Sequence, residues 1–206
     1  MSPGSSRLGT RTTRHRLGRN RPVFRSVESP LVRQCWGGVL KVADALSSTH
    51  SEAVWRERAD FIIQAKLPEE GRFEQLWARQ LAPDEFELCC IPFFLYDVSL
   101  GDVVATDPRA ERRYVLNRVV RRSGRSVLRA FFDRASYRYR DLVSQQIADV
   151  GGLMEWSSPS LLAIDGRDDA LATSIEALLR EAHSAGQLIY ERGRQSAGSK
   201  PNGAEY

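Results

Sequence analysis

Residues 91–104 read IPFFLYDVSLGDVV, and no other stretch narrows the possible folds as far. Pro92 has no amide hydrogen to give to a strand ladder, so it should end or edge a strand. Leu100-Gly101-Asp102-Val103-Val104 reads as a tight turn feeding a short buried strand, and Asp107-Pro108 closes that strand. The aromatic residues between Pro92 and the turn then belong to a core. The segment reads as a corner of the fold, with Pro92, Gly101 and Asp102 as the residues that bend it.

The flanking chain has strand texture. Ala53-Val54-Trp55-Arg56 and residues 59–67 are rich in β-branched and aromatic side chains, with a turn at Pro68-Glu69-Glu70-Gly71. Residues 73–81 and 85–91 follow as a strand pair around Pro83-Asp84. Residues 114–122 and 126–132 flank Ser123-Gly124, a two-residue connection of the kind that favours a hairpin.

After this the period changes. Tyr139, Leu142, Val143, Ile147 and Val150 follow helical spacing, and Gly151-Gly152 supplies the stop. Strands are expected at 153–156, 161–164 and 188–190. Asp165 or Asp168 can cap a second helix with Leu171, Ile175, Leu178, Leu179 and Ala182 as its apolar face, ending at Gly186. From residue 127 the order is β-α-β-β-α-β, the split βαβ arrangement of ferredoxin-like domains. The expected class is α+β: a small antiparallel sheet or partial barrel over 52–122 leading without a linker into a ferredoxin-like half over 123–192. Residues 29–51 are poorly patterned, with a short helix near 39–46 broken off by Gly37 and Gly38, and 193–206 reads as a disordered polar tail.

Two spaced runs carry a resemblance. Residues 91–104, followed by Val119-Val120-Arg121-Arg122-Ser123-Gly124-Arg125-Ser126-Val127-Leu128-Arg129, resemble the bacterial DUF4265 domain family over roughly residues 52–192. In that family an Asn commonly precedes the Ile-Pro and a His commonly follows the Ser-Gly; this chain has Cys90 and Arg125 there. Function in the family is unknown, so the resemblance implies a fold and a bacterial origin and no activity.

The formal charge of +4 lies mostly in one place. Residues 1–25 hold seven arginines and no acid, which leaves 23 basic against 26 acidic residues in the rest of the chain. Residues 1–28, rich in Ser, Gly and Arg, cannot bury enough surface to offset their ordering entropy, so a disordered basic tail is expected. Three cysteines without C-x-x-C spacing support neither a disulfide framework nor a zinc site and fit a reducing cytoplasm. No apolar run is long enough to span a membrane.

The strongest chemical signal is a basic cluster. Residues 109–140 hold eleven arginines against Glu111 and Asp133, a local net of +9. If Ser123-Gly124 is a two-residue hairpin loop, Arg118 lies opposite Arg129 and Arg122 opposite Arg125, all on one face. Like charges so placed repel by some tenths of a kcal/mol, roughly, so the face calls for neighbouring acids, with Glu74, Glu85 and Glu87 as candidates, or for a bound anion. Guanidinium groups suit phosphate and carboxylate. A register slip of one residue would dissolve the face.

Other groups carry weaker signals. Asp97, Asp102 and Asp107 are spaced by five, which fits neither a helix face nor a strand, and Asp beside a turn commonly bonds its own backbone. Cys89 and Cys90 are neighbours on a strand, so one should point inward and one outward, and a catalytic thiolate would need a His nearby. His15 lies in the tail, His50 precedes the domain and His183 sits in a last helical turn. Phe93, Phe94, Tyr96, Phe131 and Phe132 read as core or as a stacking platform beside the arginines. No cofactor or metal signature is present. The expectation is an uncharacterised cytoplasmic, non-enzymatic binding or regulatory module whose Arg118/Arg122/Arg125/Arg129 hairpin contacts an anionic ligand or protein partner. The alternatives are an enzyme with a site between the halves, using Asp97, Asp102 or a Cys89/Cys90 thiol, and nucleic-acid binding through the tail and hairpin.

Overall fold

The computed structural model describes residues 47–107 and 114–193. The basic tail, the helix expected at 39–46 and residues 194–206 lie outside these residues, as do Arg109, Arg112, Arg113 and His15. The α+β class is observed, with strands β1 (Ser47–Ser48), β2 (Phe61–Lys66), β3 (Phe73–Ala82), β4 (Glu85–Leu88), β5 (Val103–Asp107), β6 (Val115–Arg121) and β7 (Ser126–Phe131). Helix α1 (Arg140–Asp149), β8 (Leu153–Ser158), β9 (Leu161–Gly166), helix α2 (Asp169–Ser184) and β10 (Ile189–Arg192) follow.

In the first sheet, β2/β3, β3/β4, β4/β5 and β5/β6 pair antiparallel. A single parallel pair, Gln64 with Val115, joins β6 back to β2 and closes the ring. Alternation decides its inside: Glu74, Leu76 and Ala78 of β3 are buried while their neighbours are half exposed. Ile63, Leu76, Phe86, Leu88 and Val104 fill the interior, joined by Cys90 and Val98. The stretch 53–56, expected as a strand, instead runs into a 3-10 turn at Arg56–Arg58, and Trp55 donates its amide to the Cys89 carbonyl.

The second sheet has the order β10-β7-β9-β8, all antiparallel. One face packs on the helices through Leu128, Ala130, Leu162 and Ile164 against Val143, Ile147, Ile175 and Leu179. The opposite face carries Val127 and Ala163, which pack with Ile91, Phe93 and Leu100. Residues 89–102 therefore lie between the two sheets.

The hairpin at Ser123-Gly124 is not formed. β6 pairs with β5 in the first sheet, and β7 pairs with β9 and β10 in the second. Burial gives the reason. β7 is buried at every position from Ser126 to Ala130 and needs a central place, whereas β6 is largely exposed and lies on an outer wall. Arg118 is therefore opposite Ala105, not Arg129.

Candidate functional site

The segment between the sheets sets an unusual demand. Residues 89–102 hold no ladder, yet Cys89, Cys90, Ile91, Phe93, Val98, Leu100 and Asp102 are buried, so their backbone polar groups need partners other than water. Main-chain groups such as the Trp77 carbonyl, which accepts from Cys89, supply some of them, and buried ionic side chains supply others. Ile91 donates to Glu155 Oε1 at 2.8 Å, and Phe93 and Phe94 donate to the two oxygens of Glu74 at 2.6 and 3.1 Å. Arg129, only 1% exposed, donates to the Pro92 and Leu95 carbonyls and to Glu191. Asp102 accepts from Ser99 and Ser123 at 3.1 and 2.7 Å.

The residues expected to bend the fold meet here. Gly101 has φ +76°, the left-handed region that glycine enters freely, and a Cβ on it would lie 3.3 Å from Trp55 and from the Ser123 side chain. Asp102 receives the Ser123 amide, so the 91–104 run and the 119–129 run are in direct contact. Gly124 also has positive φ, and Pro92 offers only its carbonyl, to Arg129.

The four arginines do not share a face. Arg122 donates to the Asp97 carbonyl and lies 3.3 Å from Asp102. Arg125 grips both oxygens of Asp165, whose carboxyl is pushed above its ordinary range by burial, against the pull of Arg125. Arg129 pairs with Glu191, its partner directly across β7 and β10. Arg118 alone of the four is exposed with no ion pair to a described residue. The acids expected to neutralise the face are engaged elsewhere: Glu87 with Arg58 and Arg79, and Glu74 with His50.

A pair not expected in the sequence is Arg118 with Arg121. Residues three apart on a regular strand point to opposite sides, but the register of β6 shifts at Val120. Arg118 and Arg121 thereby oppose Ala105 and Val103, two positions apart on β5 and so on one side. Both are exposed, Arg122 follows, and neither has an ion pair with a described residue.

His50, expected to precede the domain, is instead interior and only 3% exposed. Its Nδ1 lies 2.6 Å from Glu155 of β8 and its Nε2 lies 3.1 Å from Glu74 of β3. Its ring stacks on Phe93 at 3.9 Å between centroids. The signal that could have found these residues is phase. Glu74 alternates in step with buried Leu76 and Ala78, and Arg129 with buried Val127, so each charge sits on an inward position.

Cys89 and Cys90 are both buried, not one in and one out, because β4 ends at Leu88 and the chain turns in between the sheets. Burial, reinforced by Glu87, pushes the Cys89 thiol up to about 11, and burial also raises Cys90. Neither is a ready thiolate. Phe132 lies in the helix-side core, Phe93 lies between the sheets, and Tyr96 donates to Glu191 beneath Arg129, so the aromatics do not form one platform. His183 donates Nδ1–H to the Leu188 carbonyl at 2.9 Å. Among the described residues, no His, Cys, Asp and Glu side chains are grouped to hold a metal ion, and no helix is long and apolar enough to cross a membrane.

The sequence profile described as "Domain of unknown function (DUF4265)" matches residues 74–190. No curated protein matches the chain. Among solved structures, the chain is similar to one titled "Novel crystal structure of a hypothetical protein from Neisseria gonorrhoeae", with a TM-score of 0.52 at 16% identity over 65% of this chain and 93% of that one. At that identity the likeness concerns the fold alone.

Proposed function

This chain belongs to the DUF4265 domain family, whose function is unknown, and from its own side chains we propose that it is a non-enzymatic binding module that contacts an anionic protein segment through the outer wall of the first sheet. The observation that carries this reading is the pair Arg118 and Arg121. Two arginines on one side of β6, next to Arg122, set up a like-charge repulsion that no ion pair with a described residue offsets. A partner carboxylate or phosphate removes that repulsion and accepts bidentate hydrogen bonds. The interior charges support the same reading by contrast. Glu74, Glu155, Asp165 and Arg129 are buried and bonded to their neighbours, so none is presented to a substrate.

The test is binding of a short polyglutamate peptide, compared with inorganic triphosphate and a single-stranded oligonucleotide, at two salt concentrations. The peptide should raise the melting temperature of the protein and lose that effect in the R118A/R121A double variant. A preference for the oligonucleotide with a steep salt slope would replace the protein partner by nucleic acid. Peptide binding unchanged in the double variant would remove this surface from consideration.

A further inference from the structure

The polar cluster around His50 poses a proton-counting problem. Both ring nitrogens face carboxylate oxygens, at 2.6 Å to Glu155 and 3.1 Å to Glu74. A neutral imidazole has one N–H, so in that state one ring lone pair would point at an oxygen lone pair. A second proton on the ring resolves this, because both nitrogens then donate and both acids accept. Val54 and Ile91 bind Glu155 at 3.0 and 2.8 Å, and Phe93 and Phe94 bind Glu74. Backbone amides already use these acids as acceptors, and two protons on the ring let them accept from His50 as well.

Position makes this charge consequential. Glu74 belongs to β3 of the first sheet and Glu155 to β8 of the second, and His50 lies two residues after β1, which runs along β3 at Phe73 and Glu74. Trp77 of β3 donates its indole N–H to the His50 carbonyl at 2.8 Å. We propose that His50 is a buried imidazolium clasp that fastens the second sheet and the entering segment at residues 47–50 to the first sheet, so that loss of its proton loosens their docking.

The groups facing the ring are Glu74 from β3, Glu155 from β8, and Cys90 with the Phe93 ring from the connection after β4. Beyond them, Asp165 of β9 is held by Arg125. Burial opposes charging the ring, but contacts with Cys90, Glu155 and Glu74 outweigh it, and the His50 pKa stands well above the ordinary histidine value. The sign follows. In the unfolded chain the ring titrates near about 6.5, so the stabilisation is complete below that pH and is lost as pH rises through the higher folded value.

The experiment uses the full chain and reads the ring directly. Nitrogen chemical shifts of His50 should show both ring nitrogens protonated at neutral pH and above it, beyond the range where an exposed histidine has lost its proton. Across the alkaline titration, the opening constant read from hydrogen-exchange protection of the Val54, Ile91, Phe93 and Phe94 amides should rise together by up to about tenfold per pH unit, the limit for one proton. In H50Q, which keeps a neutral hydrogen-bonding side chain, that pH-dependence should disappear, and in C90S, which removes one of the contacts that raise the ring, it should persist over a narrower pH range. A neutral His50 ring at pH 7 overturns the proposal, whether or not H50Q folds. An alkaline loss of protection of equal steepness in H50Q overturns it as well.

Discussion

Arg129 shows how a charge can be a structural necessity in this protein. It lies on β7, faces the 91–96 stretch, and supplies donors to two carbonyls and to Glu191. Removing one partner of a buried pair strands the other, which typically costs about 3–5 kcal/mol. R129M should lower the unfolding free energy read from urea denaturation by that order, and R129K should fall between R129M and the unaltered protein, because an ammonium cannot bridge all three acceptors. A midpoint unchanged in R129M would show that the carbonyls of Pro92 and Leu95 find water instead. Local composition could not show this role, since Arg129 is one of eleven arginines between 109 and 140. Only its phase with Val127 in a buried strand sets it apart from solvated neighbours such as Arg118.

At the scale of elements, capping chemistry was legible and so was the strand pair around Pro83-Asp84, but the pairing across Ser123-Gly124 was not. Asp168, one of two candidates for the start of α2, accepts the Leu171 amide at 2.8 Å, while the other, Asp165, ends up in the grip of Arg125. The Leu171 hydrogen bond pulls the Asp168 carboxyl below its ordinary range. Its stabilisation is therefore present above the usual aspartate pKa and is lost as pH falls through the folded value. D168A should melt at a lower temperature than the unaltered protein at neutral pH, and the gap should close in acid; D168N, which keeps the cap, should melt near the unaltered protein at neutral pH. The strands on either side of Ser123-Gly124 were legible to within a residue or two, but their pairing was not. A short Gly-containing link states that two strands are close in sequence, and whether they pair depends on which faces each must bury.

At the scale of the whole molecule, the buried segment between the sheets links local access to opening of the interface. Cys89 and Cys90 lie in it with raised pKa values, so in a C35S background a thiol reagent at neutral pH should label both slowly and at a common rate. Rapid labelling of one cysteine in native buffer would mean that this stretch opens on its own.

Residue order by itself determined the class and most of the element sequence of this protein, because alternation, helical period, Pro92 and the glycine stops are short-range constraints written into consecutive residues. It also marked 91–104 as a corner. The tertiary structure alone decided which strands flank β6 and β7, that His50 and Glu74 would meet Glu155 more than 80 residues away from Glu74, and that three of four expected surface arginines would pair with Asp102, Asp165 and Glu191. The physical reason is that a buried non-regular segment must satisfy its backbone, and the side chains able to do so come from whichever strands packing brings within about 3 Å.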